Sequence, residues 1–262
     1  MNRTTLFGYP VLKDGMKTIV ESKGPYENML MDVHVYEMKK DEVRKFHYDQ
    51  DEMAVLLLEG TLELTYCGEI VTASRRGIWE EKASALHVAR NTSVSVKALE
   101  NSSILVQRTE NSIDFPAKFY GKEDVRIDRF GQDLCSGKAV RDVTTLFDYK
   151  NAPYSNMVLG ESFTHQGSWS SYIPHSHDQP EVYYYRFDKP QGFGACFVGD
   201  EAFKITDGSF SAIPGGLVHP QVSAPGYRMY YVWMIRHLPE NPWTSRVDAP
   251  EHLWMIGETF DE

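Results

Sequence analysis

Apolar side chains along this chain recur mainly at every second residue, as at Val55 and Leu57, Leu62 and Leu64, and Phe210 and Ala212. A period of two puts alternate side chains on one face of an extended strand, whereas a helix needs an i, i+3, i+4 spacing that no long stretch here sustains. Turn-forming pairs interrupt the pattern at short intervals, at Glu59-Gly60, Cys67-Gly68, Arg76-Gly77, Gly199-Asp200, Asp207-Gly208, Pro214-Gly215-Gly216 and Pro225-Gly226. Short strands separated by tight turns predict an all-β chain of the sandwich or barrel type.

The two halves follow one plan. In the first, a strand segment at residues 59–64 leads to Gly68, Arg76-Gly77 and then His87; in the second, residues 183–187 lead to Gly192, Asp207-Gly208, Pro214, Gly216 and His219. Residues 116–146 are polar, charged and irregular, and read as the connection between the halves. The expected division is residues 1–118 as an N-terminal barrel and residues 119–262 as a linker with a C-terminal barrel. A length of 262 residues allows two compact units, each able to bury a core.

Charge and composition narrow the partners. Against 37 Asp and Glu there are 27 Lys and Arg, a net charge of −10, and no basic run offers a footprint for phosphate backbones or anionic lipid. Nucleic acid and membrane surfaces are therefore not expected partners. The longest aliphatic run, residues 54–58, is far short of the roughly 18 residues a spanning helix needs. Residues 1–10 lack the basic start and apolar stretch of a secretory signal, and Cys67, Cys135 and Cys196 are odd in number and widely spaced. Both features predict a protein of the reducing cytoplasm, with inert thiols, acting on a small molecule.

The chemistry concentrates in Pro174-His175-Ser176-His177-Asp178-Gln179-Pro180-Glu181 and in Gly208, Pro214, Gly216 and His219. The spacing is H-x-H-x3-E followed by G-x5-P-x-G-x2-H. Histidines two apart on a strand share a face, Pro180 favours a turn that returns Glu181 beside them, and Pro214 with Gly216 shapes a turn that presents His219. Three imidazoles and a carboxylate form a mixed nitrogen and oxygen site for one divalent transition metal, with zinc, manganese, iron and nickel all compatible. His165, His237 and His252 have no partner in register and read as structural. His47, Asp49, Glu52 and His87 repeat the layout in degraded form, with Asp49 in place of the second His and no Pro/Gly turn before His87.

This two-part pattern resembles the cupin signature, whose four corresponding positions bind metal inside a small jelly-roll barrel. The fold it implies is all-β, a bicupin with two jelly-roll barrels in tandem, the N-terminal one degenerate and the C-terminal one holding metal through His175, His177, Glu181 and His219. Two departures touch no ligand: the usual leading Gly is missing five residues before His175, and Ser223 stands where an Asn often follows the last His.

Residues 167–178, 181–194, His219-Pro220, Ala224-Pro225-Gly226-Tyr227 and Tyr230-Tyr231 resemble the 5-deoxy-glucuronate isomerases of inositol catabolism. The likeness extends over residues 160–254, and Gly121-Lys122-Glu123-Asp124-Val125 resembles that family's inter-barrel segment. The resemblance implies an aldose–ketose isomerase converting 5-deoxy-glucuronate to 5-dehydro-2-deoxy-gluconate, by proton transfer or hydride shift between neighbouring carbons. Tyr183 and Tyr185 share strand phase with Glu181 and are candidates for the proton relay or for core packing. Arg186 and Lys204 are candidates for the substrate carboxylate, although strand phase sets Arg186 on the face opposite Tyr185. Three segments depart from the family: the short Asp178-Gln179-Pro180, Cys196-Phe197 in place of Gln-Arg, and Trp233 in place of Asn. Alternatives are isomerisation of a related uronate, a cupin dioxygenase, and a sugar-binding cupin without turnover. A homo-oligomer is expected, since bicupins commonly pair through barrel edges.

Overall fold

The computed structural model describes residues 5–257; residues 1–4 of the N-terminal stretch and 258–262 of the second expected barrel lie outside them. Antiparallel strands dominate, and helical structure is confined to short 3-10 segments such as Gly24–Met29 and Pro250–Met255. Among the described residues no helix is long and apolar enough to cross a membrane.

The chain forms two compact units that interleave in sequence. One comprises Val11–Val125 with Leu146–Met157; the other comprises the described residues up to Pro10, Arg126–Thr145, and the residues from Val158 onward. A division by chain order at 118/119 does not express this exchange. Phe7–Gly8 pairs with Phe210–Ser211 in the second unit, while residues 146–157 pack into the first.

In the first unit the strand Asp51–Tyr66 is the spine. Its leading half pairs with Ser102–Glu110 and Ala85–Val88, and its trailing half with Glu69–Arg75 and Val94–Ala98. The changeover falls at a register shift between Leu57 and Glu59, beside Gly60 with φ of 106°. A side chain at Gly60 is excluded, because its Cβ would lie 2.7 Å from the Ser102 Cα. One strand thus bends from one layer into the next, and the period-two positions Val55, Leu57, Leu62 and Leu64 all enter one core with Val96 and Val106.

Within this unit the sequence echo of the metal motif comes apart. Glu52 is fully buried and accepts from His87 Nε2 (2.8 Å), Asn111 Nδ2 (3.1 Å), Ser155 Oγ (2.8 Å) and the Asn156 backbone N–H (2.6 Å). His87 stacks on Phe147, with ring centroids 4.2 Å apart. His47 is exposed instead and bonds Asp49 and Ser93. The carboxylate is satisfied by protein donors and ties residues 146–157 into the unit.

The second unit has a seven-stranded sheet in the order Phe7–Gly8, Phe210–Ile213, Glu181–Phe187, Met229–Arg236, Met157–Thr164, Arg141–Phe147 and Arg126–Phe130. A four-stranded sheet runs Trp169–Ser170, Gln221–Ser223, Phe193–Val198 and Glu201–Thr206. Tyr183, Tyr185, Cys196, Ile205, Tyr231 and Trp233 point into the shared core. The strand Glu181–Phe187 is central, flanked by Phe210–Ile213 and Met229–Arg236, so side chains at its start are held on both sides.

Replacing Glu52 by Ala strands four buried donors and is expected to destabilise the first unit by about 3 kcal/mol. A lowered melting transition with unchanged metal content in the purified protein checks this.

Candidate metal centre

His175 begins the two-residue strand His175–Ser176, which pairs antiparallel with Val247–Asp248, setting His175 opposite Asp248. His177 follows on the same run, Glu181 opens the central strand, and His219 lies between the Pro214-Gly215-Gly216 turn and the strand Gln221–Ser223. Two contacts lock these segments together. The Gly216 N–H donates to the His177 carbonyl at 2.7 Å. Gly215 packs so tightly on Asp178 that a Cβ there would fall 1.8 Å from the Asp178 carbonyl oxygen. The Pro214-Gly215-Gly216 turn is expected from the sequence, but the part Gly215 plays against Asp178 is visible only in the fold.

All four candidate ligands are buried, none more than 8% exposed. Each histidine ring is held by a nearby main-chain carbonyl: Nδ1 of His175 bonds Ile173 O at 2.9 Å, that of His177 bonds Gln179 O at 2.9 Å, and that of His219 bonds Leu217 O at 2.8 Å. An Nδ1–H donated to a carbonyl leaves Nε2 as the lone-pair nitrogen, the arrangement that metal-ligating imidazoles adopt. Nε2 of His177 and of His219 each lie 3.2 Å from Glu181 Oε2. The buried Nε2 of His219 makes no hydrogen bond despite this proximity. Lone pairs on two nitrogens turned toward a carboxylate oxygen repel unless a cation stands between them, so the donor set fits a divalent ion.

Among the described residues, His177, Glu181 and His219 form the cluster of potential ligand atoms, all within 4.8 Å of one another. His175 stands beside it, its ring centroid 4.9 Å from that of His219. Burial, reinforced by His219 and Arg246, pushes the His175 imidazole down to about 2, which keeps its nitrogen available as a ligand. Burial acts to raise the Glu181 carboxyl, and positive charge at the His177 and His219 positions is what holds it low, at about 2, a role that a shared cation fills.

Two tyrosines reach different environments. The Tyr183 hydroxyl donates to Glu181 Oε2 at 2.9 Å and meets Ser171 Oγ at 3.2 Å, so it touches the ligand cluster. The Tyr185 hydroxyl donates to Gln221 Oε1 at 2.7 Å and meets Ser211 Oγ at 2.9 Å, one layer deeper. Burial raises both phenols well above their usual range. Arg186 and Lys204 are not brought to the cluster. Arg186 pairs with Asp207 at 2.9 Å on the opposite strand face, and exposed Lys204 lies over the Phe193 ring, 5.6 Å from its centroid. Burial raises the Cys196 thiol to about 11 even though its contact with Ser211 acts the other way, which disfavours the thiolate.

The chain matches the KduI/IolB family over residues 10–255. It belongs to that family. Among curated relatives, the 5-deoxy-glucuronate isomerase of Shouchella clausii is 28% identical over 225 residues, covering 79% of this chain and 80% of the relative. The enzyme of the same name from Bacillus licheniformis is 24% identical over 264 residues, covering 94% and 95%. Among solved structures, an IolB-like protein from Salmonella typhimurium superposes with a TM-score of 0.86 at 19% identity, covering 96% of this chain and 99% of that one. An oxalate decarboxylase from Lactobacillus farciminis gives 0.70 at 11% identity, covering 97% and 90%. The all-β bicupin architecture expected from the two-part motif is the fold of this KduI/IolB member.

Of the segments read from the sequence as departures from the resembled family, those at residues 178–180 and Trp233 lie near the centre. Gln179 Nε2 donates to Asn241 O at 2.8 Å, and Asn241 Nδ2 to Asp178 Oδ2 at 3.0 Å, so the short connection before Glu181 is covered by the 237–243 segment. Trp243 of that segment packs 6.2 Å from His177, centroid to centroid, and 5.8 Å from Trp233. Trp233 sits opposite Tyr183 in the sheet register, where Gly160 leaves room for its indole: a Cβ at Gly160 would come within 2.4 Å of it. Phe197 stacks near Trp169, at 5.9 Å.

His175→Ala and Glu181→Ala are expected to purify folded but without stoichiometric metal, measured by metal analysis alongside circular dichroism. Arg186→Ala and Lys204→Ala are expected to keep metal and turnover, each losing only a surface contact worth about 0–1 kcal/mol.

Proposed function

We propose that this chain is a metal-dependent aldose–ketose isomerase acting on a sugar acid, with 5-deoxy-glucuronate as substrate and 5-dehydro-2-deoxy-gluconate as product, in myo-inositol catabolism. The observation that carries the reading is the buried three-His, one-Glu donor set with every Nδ1 tied to a carbonyl, in a chain of the KduI/IolB family. Relatives named 5-deoxy-glucuronate isomerase supply the reaction class.

His175, His177, Glu181 and His219 would hold one divalent transition metal ion, with zinc, manganese, iron and nickel all compatible with these donors. Such an ion supplies a Lewis acid for the carbonyl and neighbouring hydroxyl oxygens of the substrate. Glu181 keeps its carboxylate ionised and positioned between His177 and His219. Tyr183, through its hydroxyl on Glu181 Oε2, is the side chain placed to hold or pass a proton beside the reacting carbons. Tyr185 supports it from the layer below through Ser211 and Gln221. The 237–243 segment, with Trp243, screens the centre from bulk water.

The substrate is a small molecule, and the reading places the enzyme in the cytoplasm as a homo-oligomer, which light scattering of the purified protein checks. Metal-loaded protein incubated with 5-deoxy-glucuronate and a panel of uronates is expected to convert the deoxy sugar from aldehyde to ketone by NMR, equally with and without oxygen. Turnover of another uronate alone would reassign the substrate, oxygen-dependent turnover would favour a dioxygenase, and metal retention without any turnover would favour a binding protein. Tyr183→Phe is expected to lower kcat by about a hundredfold with metal retained, whereas Tyr185→Phe acts mainly on stability.

A further inference from the structure

A cavity of about 410 Å³ opens in the second unit, lined by Arg141, Arg246, Tyr172, Ile173, Asp248 and Phe130 among others. Two wall residues tie it to the metal centre through the backbone. The Ile173 carbonyl holds His175 Nδ1, and Asp248 is the strand partner of His175.

Arg141 is the unusual group in this wall. It is only 5% exposed, and its guanidinium donates to the carbonyls of Ala139 and Tyr172, both at 2.9 Å. Among the described residues no carboxylate pairs with it. The two carboxylates in the cavity wall do not pair with it: Asp248 lies against Arg246 at 2.9 Å, and Asp133 makes no ion pair with Arg141, while Arg129 is matched to Asp142 at 2.6 Å. A guanidinium removed from water and given two carbonyl dipoles and the face of the Phe130 ring, 5.6 Å from its centroid, has no opposite charge to offset its burial, so an arriving anion would find it open to pairing. Burial lowers its proton affinity, and Arg246 acts in the same direction while Tyr231 and Tyr183 oppose it.

Resting on the isomerase reading above, we propose that Arg141, with Arg246 at the cavity mouth, binds the carboxylate of the sugar-acid substrate while its aldehyde end faces the His175, His177, Glu181 and His219 centre. Planar guanidinium groups match a carboxylate with paired N–H donors, and a buried pair is stronger than an exposed one. Arg246 and Asp248 form an exchangeable pair: an arriving carboxylate competes with Asp248 for Arg246. The assignment replaces Arg186 and Lys204, whose side chains are engaged elsewhere on the surface.

The test uses metal-loaded full-length protein, with 5-deoxy-glucuronate and its uncharged uronamide as substrates and glucuronate as a binding probe by calorimetry. Arg246→Gln is the principal variant because its site is partly open; Arg141→Lys keeps charge but loses the fork. Expected is a KM for the acid raised about tenfold or more in each, with kcat much less affected, weaker glucuronate binding, unchanged metal content, and little change for the uronamide. Wild-type turnover of the acid with KM and glucuronate affinity unchanged in both folded, metal-loaded variants would overturn the carboxylate site alone. Wild-type protein that turns over no uronate would overturn the isomerase reading and this assignment with it.

Discussion

Everything at the metal centre depends on three hydrogen bonds of one kind, from Nδ1 of His175, His177 and His219 to main-chain carbonyls close by in sequence. Each bond fixes both ring orientation and tautomer at the level of local backbone, before any ligand arrives. The first unit shows the opposite use of the same residue types. There Nε2 of His87 points at Glu52, Nδ1 has no partner, and the ring lies flat on Phe147. Three further protein donors complete the Glu52 shell, so its carboxylate oxygens are already engaged by the chain. One carboxylate is closed by its own chain and serves packing, while the other is left facing lone pairs, the donor arrangement of a cation site.

The ligands come from three separate stretches, and their convergence is a matter of backbone contact rather than of side-chain attraction. Gly215 abuts Asp178 and Gly216 donates to His177, which presses the turn before His219 onto the run containing the other two histidines. Glu181 gains its position from the central strand, held by Phe210–Ile213 on one side and Met229–Arg236 on the other. The centre is thus assembled by the most constrained parts of the sheet. A cluster of like lone pairs around a carboxylate would otherwise relax apart, so this rigidity is what lets the protein hold an electrostatically incomplete site.

Period-two positions and turn residues made the β architecture legible, and Val55, Leu57, Leu62 and Leu64 all entered one core as alternation requires. The motif spacing was legible because strand geometry and turn chemistry act over a few residues, and the match to the KduI/IolB family agrees with the resemblance read around His175. What was not legible depends on contacts distant in sequence. No local signal tells that Phe7–Gly8 crosses to pair with Phe210–Ser211, or that residues 146–157 are captured by Glu52. Arg186 and Lys204 were singled out as cations near the motif in sequence, yet Asp207 and the Phe193 ring engage them. Arg141 lies in a polar stretch that reads as linker, and burial, not sequence context, distinguishes it.

The charge balance of the second unit gives that buried guanidinium its meaning. A chain with a net charge of −10 has abundant carboxylates, so the lack of one beside Arg141 is not a matter of supply. A permanent carboxylate partner on Arg141 would offset its buried charge, but it would also occupy the donors that the proposed sugar-acid site uses. Leaving the guanidinium on two carbonyls keeps it buried at tolerable cost while reserving its remaining donor capacity. The metal centre is built on the same logic with opposite sign, its carboxylate and lone pairs awaiting a cation. On the proposed function, a sugar acid with an aldehyde end and an anionic end would complete one deficit directly and the other through a bound cation, using two incomplete shells in one unit.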